Sequence, residues 1–148
     1  MRTVLFLLLG LFVFQTAQAK PPKDLKKFTK SFEKAVKLNT YSDLMPFFDD
    51  AYVKEQHDMM LEGRTEQFVR EFLGGKNEKT GSYETPKDIT VIKKIKVNNV
   101  QSRDDGSWSA TLTITHWDGT RYTKGVIIKP QEWTSKSPHS FGFEGAYG

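Results

Sequence analysis

The stretch of sequence that decides the fold is WSATLTITHWDGTRYTKGVIIK, residues 108–129. In its first half, apolar side chains alternate with serine or threonine, at Trp108, Ala110, Leu112 and Ile114. This period of two is typical of a strand with one dry face and one wet face. Asp118-Gly119 then offers a tight turn, and residues 122–129 return as a second strand. The stretch therefore predicts an antiparallel hairpin.

A second Asp-Gly pair, Asp105-Gly106, extends the hairpin into a meander. The strand before it alternates at Ile89, Val91, Ile95 and Val97. Two-residue loops at both turns would fix the register, with these partners: Val97 with Ile114, Ile95 with His116, and Ala110 with Ile127. The same register sets His116 opposite Arg121. A last strand is predicted over residues 140–146, with Phe141, Phe143 and Tyr147 facing inward.

The N-terminal half is predicted to be helical. The first helix carries one apolar stripe, formed by Leu25, Phe28, Phe32, Ala35 and Val36. Asp24 is its predicted N-cap and Asn39 its predicted end. A shorter helix is predicted over residues 43–48, with Ser42 as its cap. Helices followed by strands indicate an α+β domain.

Between the two halves the pattern is mixed. Residues 51–61 fit a strand and a helix equally well. Residues 66–73 predict a third helix, which Gly74-Gly75 ends. Residues 76–87 are polar and are predicted to form a loop.

Residues 1–19 are predicted to be a secretory signal peptide. Arg2 precedes an unbroken apolar run over residues 4–14, and Ala17-Gln18-Ala19 supplies the small residues of a cleavage site. The run is too short to span a hydrocarbon core of about 30 Å. We therefore expect export to the periplasm or the medium, and a mature single domain, residues 20–148, that has no membrane association.

Composition excludes several classes of function. The chain has 148 residues and a formal net charge of +4, which falls to +3 with the loss of Arg2, and its lysines are dispersed. We therefore expect no nucleic-acid partner. The absence of cysteine excludes disulfides, thiolate metal sites and a cysteine nucleophile. No two histidines have ligand spacing, so we expect no metal, and no motif calls for a cofactor.

The order of predicted elements is similar to that of the nuclear transport factor 2-like superfamily, also called SnoaL-like or cystatin-like. Residues 62–68, EGRTEQF, resemble the Gly-Arg entry to that family's third helix. The resemblance covers residues 24–147. It implies N-terminal helices packed on a curved antiparallel sheet, with a conical pocket between them. Members include isomerases, dehydratases and cyclases as well as non-catalytic binding modules, so the fold leaves function open.

His116 is the first candidate for chemistry. It continues the apolar row of its strand, at the end where a conical pocket needs a polar group. A general base there would need supporting groups, and the candidates are Arg121, Asp118 and His57. His57 points into the cone only if residues 51–61 form a strand. The alternative is a structural histidine at the wet end of the sheet.

Candidate ligand-binding residues are inward-facing side chains of the predicted sheet: Trp108, Leu112, Ile114, His116 and Phe143. Trp117 falls on the threonine side of its strand, with Thr115 and Tyr122 near it. An exposed aromatic patch there would mark a ligand or partner surface. The alternative is that these rings only stabilise the sheet through cross-strand pairs.

Two functions from different classes follow. The first is an exported, non-catalytic domain that binds a small apolar ligand in its cone or a protein partner, including a second copy through the sheet. Many apolar and few convergent polar residues favour it. The second is a small lyase or isomerase that transfers a proton through His116. A cone filled by phenylalanine rings would exclude a ligand there, and a His116 without a polar partner would exclude proton transfer.

Overall fold

The computed structural model describes residues 20–49, 65–131 and 139–147. Within these ranges the chain forms three α-helices and a six-stranded antiparallel sheet, so the predicted α+β class is confirmed. Several sequence predictions concern positions outside the described residues, namely residues 1–19, residues 51–61 with His57, and the first three residues of the stretch 62–68.

Helix α1 spans Lys23–Val36, and the side chains of its predicted apolar stripe are buried. Its N-cap is Pro22 and not Asp24. Asp24 lies instead in the first turn, where a carboxylate interacts favourably with the positive end of the helix dipole. The helix ends at Val36 with Lys37 as its C-cap, three residues before the predicted end at Asn39. Asn39 itself has a φ of 57°, a left-handed conformation that asparagine tolerates.

Helix α2 is short, Tyr41–Leu44, and continues as a 3-10 turn over Met45–Phe47. Its N-cap is Thr40 rather than the predicted Ser42. Thr40 has the extended backbone of a cap, with φ −125° and ψ 140°, and its hydroxyl bonds the carboxylate of Asp43. Pro46 is accommodated at the start of the 3-10 turn.

Helix α3 spans Thr65–Phe72 and ends at the predicted glycines. Two short strands follow, β1 over Gly75–Asn77 and β2 over Tyr83–Glu84, so the loop predicted for residues 76–87 is wrong in part. A Cβ on Gly75 would lie 2.9 Å from the carbonyl oxygen of Thr123. The glycine therefore lets β1 approach another strand closely.

The remaining strands are β3 Ile92–Ser102, β4 Trp108–His116, β5 Arg121–Pro130 and β6 Phe141–Tyr147. The strand predicted from Ile89 begins three residues later, because Ile89–Val91 is a 3-10 turn. The sheet order is β2-β1-β5-β4-β3, and β6 also pairs with β5. One edge of β5 pairs with β4, and the other edge pairs with two strands in succession. On that second edge, β1 pairs with residues 122–123 and β6 pairs with residues 125–130.

The predicted register of β3 on β4 is wrong by two residues. The observed partners are Val97 with Leu112 and Ile95 with Ile114. Arg103 N donates to Ser107 O at 2.9 Å, so the turn has three residues instead of two. A bulge between Asn98 and Gln101 adds one more residue. Because the total shift is even, the predicted apolar face is preserved.

The predicted register of β4 on β5 is wrong by one residue. The observed partners are Ala110 with Val126 and Thr115 with Arg121. His116 N donates to Thr120 O at 2.9 Å, which makes a three-residue turn with Gly119 at a φ of 88°. The odd shift exchanges the faces of β5. Val126 is therefore fully buried, whereas Ile127 is only half-buried.

A cluster of phenylalanine rings fills the space between the helices and the sheet. Its centre is Phe143 of β6, which is fully buried. Four ring centroids lie 4.7–6.1 Å from it, those of Phe28, Phe32, Phe48 and Phe72. Leu112 and Ile114 are also fully buried. The N-terminal helix is thus packed on the antiparallel sheet through its apolar stripe.

Lys124 of β5 is a buried lysine on the inner face, with 5% of its surface exposed. Its Nζ donates to the carbonyl of Glu71, at 2.9 Å, and to the carbonyl of Phe72. The ammonium also lies 5.1 Å from the ring centroid of Phe72 and 5.7 Å from that of Tyr83. Burial lowers the pKa of Lys124 to about 8, against the opposing effect of the Glu71 carboxylate. The hydrogen bonds of Lys124 therefore connect the C-terminal end of α3 to β5.

Candidate functional site

The strand order creates a cleft at one end of the sheet. β2 and β3 lie at opposite edges, so the connection between them, residues 85–91, must cross the ends of the intervening strands. It passes beside the β4–β5 turn, where Trp117 N donates to Val91 O at 3.0 Å. The cleft has a volume of about 530 Å³ and is lined by Glu84, Thr85, Pro86, Lys87, Thr90, Val91, His116, Trp117, Asp118 and Tyr122.

Aromatic rings form one wall of the cleft. The ring of His116 lies against that of Tyr122, with 4.4 Å between the centroids. Trp117 is 65% exposed, and Lys93 Nζ lies 5.6 Å from its ring centroid. The prediction that Trp117 lies on the threonine side of its strand is wrong, because the strand ends at His116 and Trp117 lies in the turn. Trp117 is nevertheless exposed, as a ligand or partner surface would require, and Trp108 faces the core as predicted.

Two carboxylates face this wall, and both are held in place. Asp118 Oδ1 accepts a hydrogen bond from Thr120 N at 2.8 Å, and Glu84 Oε2 accepts one from Asn77 Nδ2 at 2.9 Å. The hydrogen bonds from Thr120 and the nearby His116 hold the pKa of Asp118 below its ordinary value. Each carboxylate still has acceptor capacity for a further donor.

His116 is half-buried at the inner end of the cleft. Burial lowers the pKa of its imidazole, while Asp118 and Glu84 act in the opposite direction. Within the described residues, no side chain is hydrogen-bonded to the His116 ring. A general base needs such a partner to fix its tautomer and orientation. The geometry therefore supplies a titratable ring but lacks the orienting group of a proton-transfer site.

Of the other catalytic candidates, Asp118 lines the cleft together with His116, whereas Arg121 does not. Arg121 pairs with Thr115, so the predicted juxtaposition with His116 is wrong. Its guanidinium points to Glu78, with 3.7 Å between Nε and Oε2, and is exposed. His57 lies outside the described residues.

Only one of the five predicted ligand-binding residues lies at the cleft. His116 lines the cleft, whereas four of the predicted residues belong to the buried core, namely Trp108, Leu112, Ile114 and Phe143. Sequence reasoning missed the wall supplied by residues 84–87 and Thr90. These residues are polar and aperiodic, and only the strand order brings them to the β4–β5 turn.

Two other kinds of site are absent from the part of the chain that the structure describes. The described residues contain no group of three or more histidine, cysteine, aspartate or glutamate side chains placed to hold a metal ion. None of their helices has both the length and the apolar character needed to cross a membrane.

Comparison with known proteins gives no neighbour. No protein-family model, curated protein or solved structure matches this chain.

Proposed function

We propose that this protein is an exported, non-catalytic binding domain, and that the cleft beside the β4–β5 turn is its binding site. The observation that carries the proposal is the exposed Trp117, which borders a concave site next to the His116–Tyr122 ring pair. Exposed aromatic surface in a concavity is typical of a site that is covered by a ligand. The volume of about 530 Å³ is within the range of small-molecule sites.

The position of the site differs from the predicted conical pocket. In the described part of the chain, phenylalanine rings occupy the space between α1 and the sheet, with Phe32 and Phe143 only 4.7 Å apart between centroids. A small apolar ligand in that space would have to displace these rings. The open cleft needs no such displacement, so it is the better place for a ligand.

We also propose a fold of the nuclear transport factor 2-like kind, and export through the predicted signal peptide. The packing of the α1 stripe on an antiparallel meander supports the first, and the residue pattern of positions 1–19 supports the second. The homodimer through the sheet stays a prediction. Proton transfer by His116 is the less favoured function, because an orienting partner is missing from the described residues.

The test is a titration of the ¹⁵N-labelled protein with benzyl alcohol, a small neutral probe, followed by NMR. We expect saturable shifts of the signals of His116, Trp117 and Tyr122. Trp117→Ala should abolish them, because it removes the exposed ring. Leu38→Ala is the matched control, since Leu38 is 61% exposed and lies outside the cleft. Shifts confined to the core, or a Trp117→Ala variant that binds as wild type does, would contradict the proposal.

A further inference from the structure

We propose that the cleft selects a small organic cation, an ammonium or guanidinium group carried on a short apolar body; this rests on the proposed function of the cleft. Two features point to it. The first is the net charge of the lining side chains, and the second is the contact between the Lys93 ammonium and the ring of Trp117.

The charge of the cleft is opposite to that of the chain. The whole protein has a formal net charge of +4. The described lining of the cleft has two carboxylates, Glu84 and Asp118, and one ammonium, Lys87. A second ammonium, that of Lys93, lies at the rim against Trp117 and is not part of the lining. A negatively charged concavity in a basic protein attracts cations and repels anions, an effect that is strongest at low ionic strength.

The aromatic wall suits the same charge. Lys93 Nζ lies 5.6 Å from the centroid of Trp117, within the distance of a cation–π contact. The chain thus already places an ammonium against this indole. Trp117 as a whole residue is 65% exposed, so a ligand cation can take the place of the Lys93 ammonium on this ring. Tyr122 supplies a further ring at the inner end of the cleft.

The two carboxylates are ready to accept hydrogen bonds from the cation. Thr120 N holds one oxygen of Asp118, and Asn77 Nδ2 holds one oxygen of Glu84. Both groups are therefore oriented before a ligand arrives, which reduces the entropy lost on binding. An ammonium has three donors and a guanidinium has five, so either can reach a carboxylate while its face or stem contacts Trp117.

His116 gives the site a second, distinguishable property. The charged or titratable groups around it are Glu84 from β2, Lys87 from the connection, Asp118 from the turn, Tyr122 from β5, and Lys93 from β3, whose ammonium lies against the adjacent Trp117. Protonation of His116 adds a positive charge to the cleft. A cationic ligand should then bind more weakly as the pH falls through the titration of His116, whereas a neutral ligand of the same shape should not.

The experiment compares three probes of nearly equal size by NMR titration at low salt: benzylamine, benzyl alcohol and benzoate. We expect benzylammonium to bind on the order of tenfold more tightly than benzyl alcohol, and benzoate to bind least. Glu84→Gln and Asp118→Asn should each weaken the binding of benzylammonium severalfold more than they weaken the binding of benzyl alcohol. Asp104→Asn is the matched control, because Asp104 is exposed on the β3–β4 turn, outside the cleft.

The outcomes separate the two proposals. Equal binding of benzylammonium and benzyl alcohol at the cleft would overturn the selectivity and leave the binding site standing. Preference for benzoate would do the same. Failure of all three probes to shift the cleft signals would overturn both. A tenfold preference that survives in both carboxylate variants would show that the charge argument is wrong.

Discussion

Replacement of Lys124 by methionine tests the most unusual buried group in the described structure. Methionine keeps an unbranched, flexible side chain but removes the amine that lies over the rings of Phe72 and Tyr83. Burial lowers the pKa of Lys124 from 10.5 to about 8, so the folded state binds this proton less tightly than the unfolded state. Because one pKa unit corresponds to about 1.4 kcal/mol, the charged amine destabilises the folded protein by about 3 kcal/mol at pH 7.

The sign of the pH dependence follows from this difference. The destabilisation is fully present below pH 8 and disappears as the pH rises towards 10.5, because the unfolded chain binds more protons throughout that window. Between pH 7 and pH 9.5 the wild type should therefore gain about 2 kcal/mol of unfolding free energy relative to Lys124→Met. The comparison cancels the contributions of other groups that titrate in both proteins.

The assay is urea denaturation followed by circular dichroism at a series of pH values from 7 to 9.5. Lys129→Met is the matched control, since Lys129 lies on the same strand but is exposed. Its unfolding free energy should run parallel to that of the wild type. If the wild type and Lys124→Met also run parallel, within about 0.5 kcal/mol, the assignment of Lys124 as a charged amine buried against helix carbonyls is refuted.

Three further changes test the core and the turns. Phe143→Ala should cost about 3–5 kcal/mol of unfolding free energy in urea denaturation, because it empties the centre of the ring cluster; a loss below 1 kcal/mol would contradict that position. Gly119→Ala should cost about 1 kcal/mol, since its φ of 88° strains a side chain, whereas Gly145→Ala, which has no neighbour within 4 Å of the added Cβ and no positive φ, should cost less. Burial against Phe47 lowers the pKa of His139, so the unfolding free energy should fall as the pH drops below about 6.5. Urea denaturation at pH 7 and at pH 5 should show a smaller fall for His139→Phe than for the wild type.

The alternation of side chains was sufficient to predict the meander and the inner face of β4. Burial of every second residue is a local property, and it survives an error in register when the shift is even. The loop lengths were not predictable, because Asp-Gly suits two-residue and three-residue turns alike. The bulge in β3 has no periodic signal either, although Asn99, with a φ of 53°, lies within it.

The elements that were missed depend on distant partners. Strand β1 is only three residues long and exists because its backbone pairs with Tyr122 and Thr123 of β5. The cleft has a similar origin. Trp117 was noticed in the sequence, but residues 84–87 reach it only because β2 and β3 end at opposite edges of one sheet. Such proximity is a property of topology and not of composition.

The position of Phe143 has a consequence for the order in which the domain can be completed. During synthesis from the N-terminus, α1 leaves the ribosome long before β6 does, and domains generally fold as units. Phe28 and Phe32 therefore lack their central partner until the last strand has been made. Until then the apolar stripe of α1 is exposed and can make non-native contacts. We therefore expect a chaperone that binds the nascent chain to bind this helix.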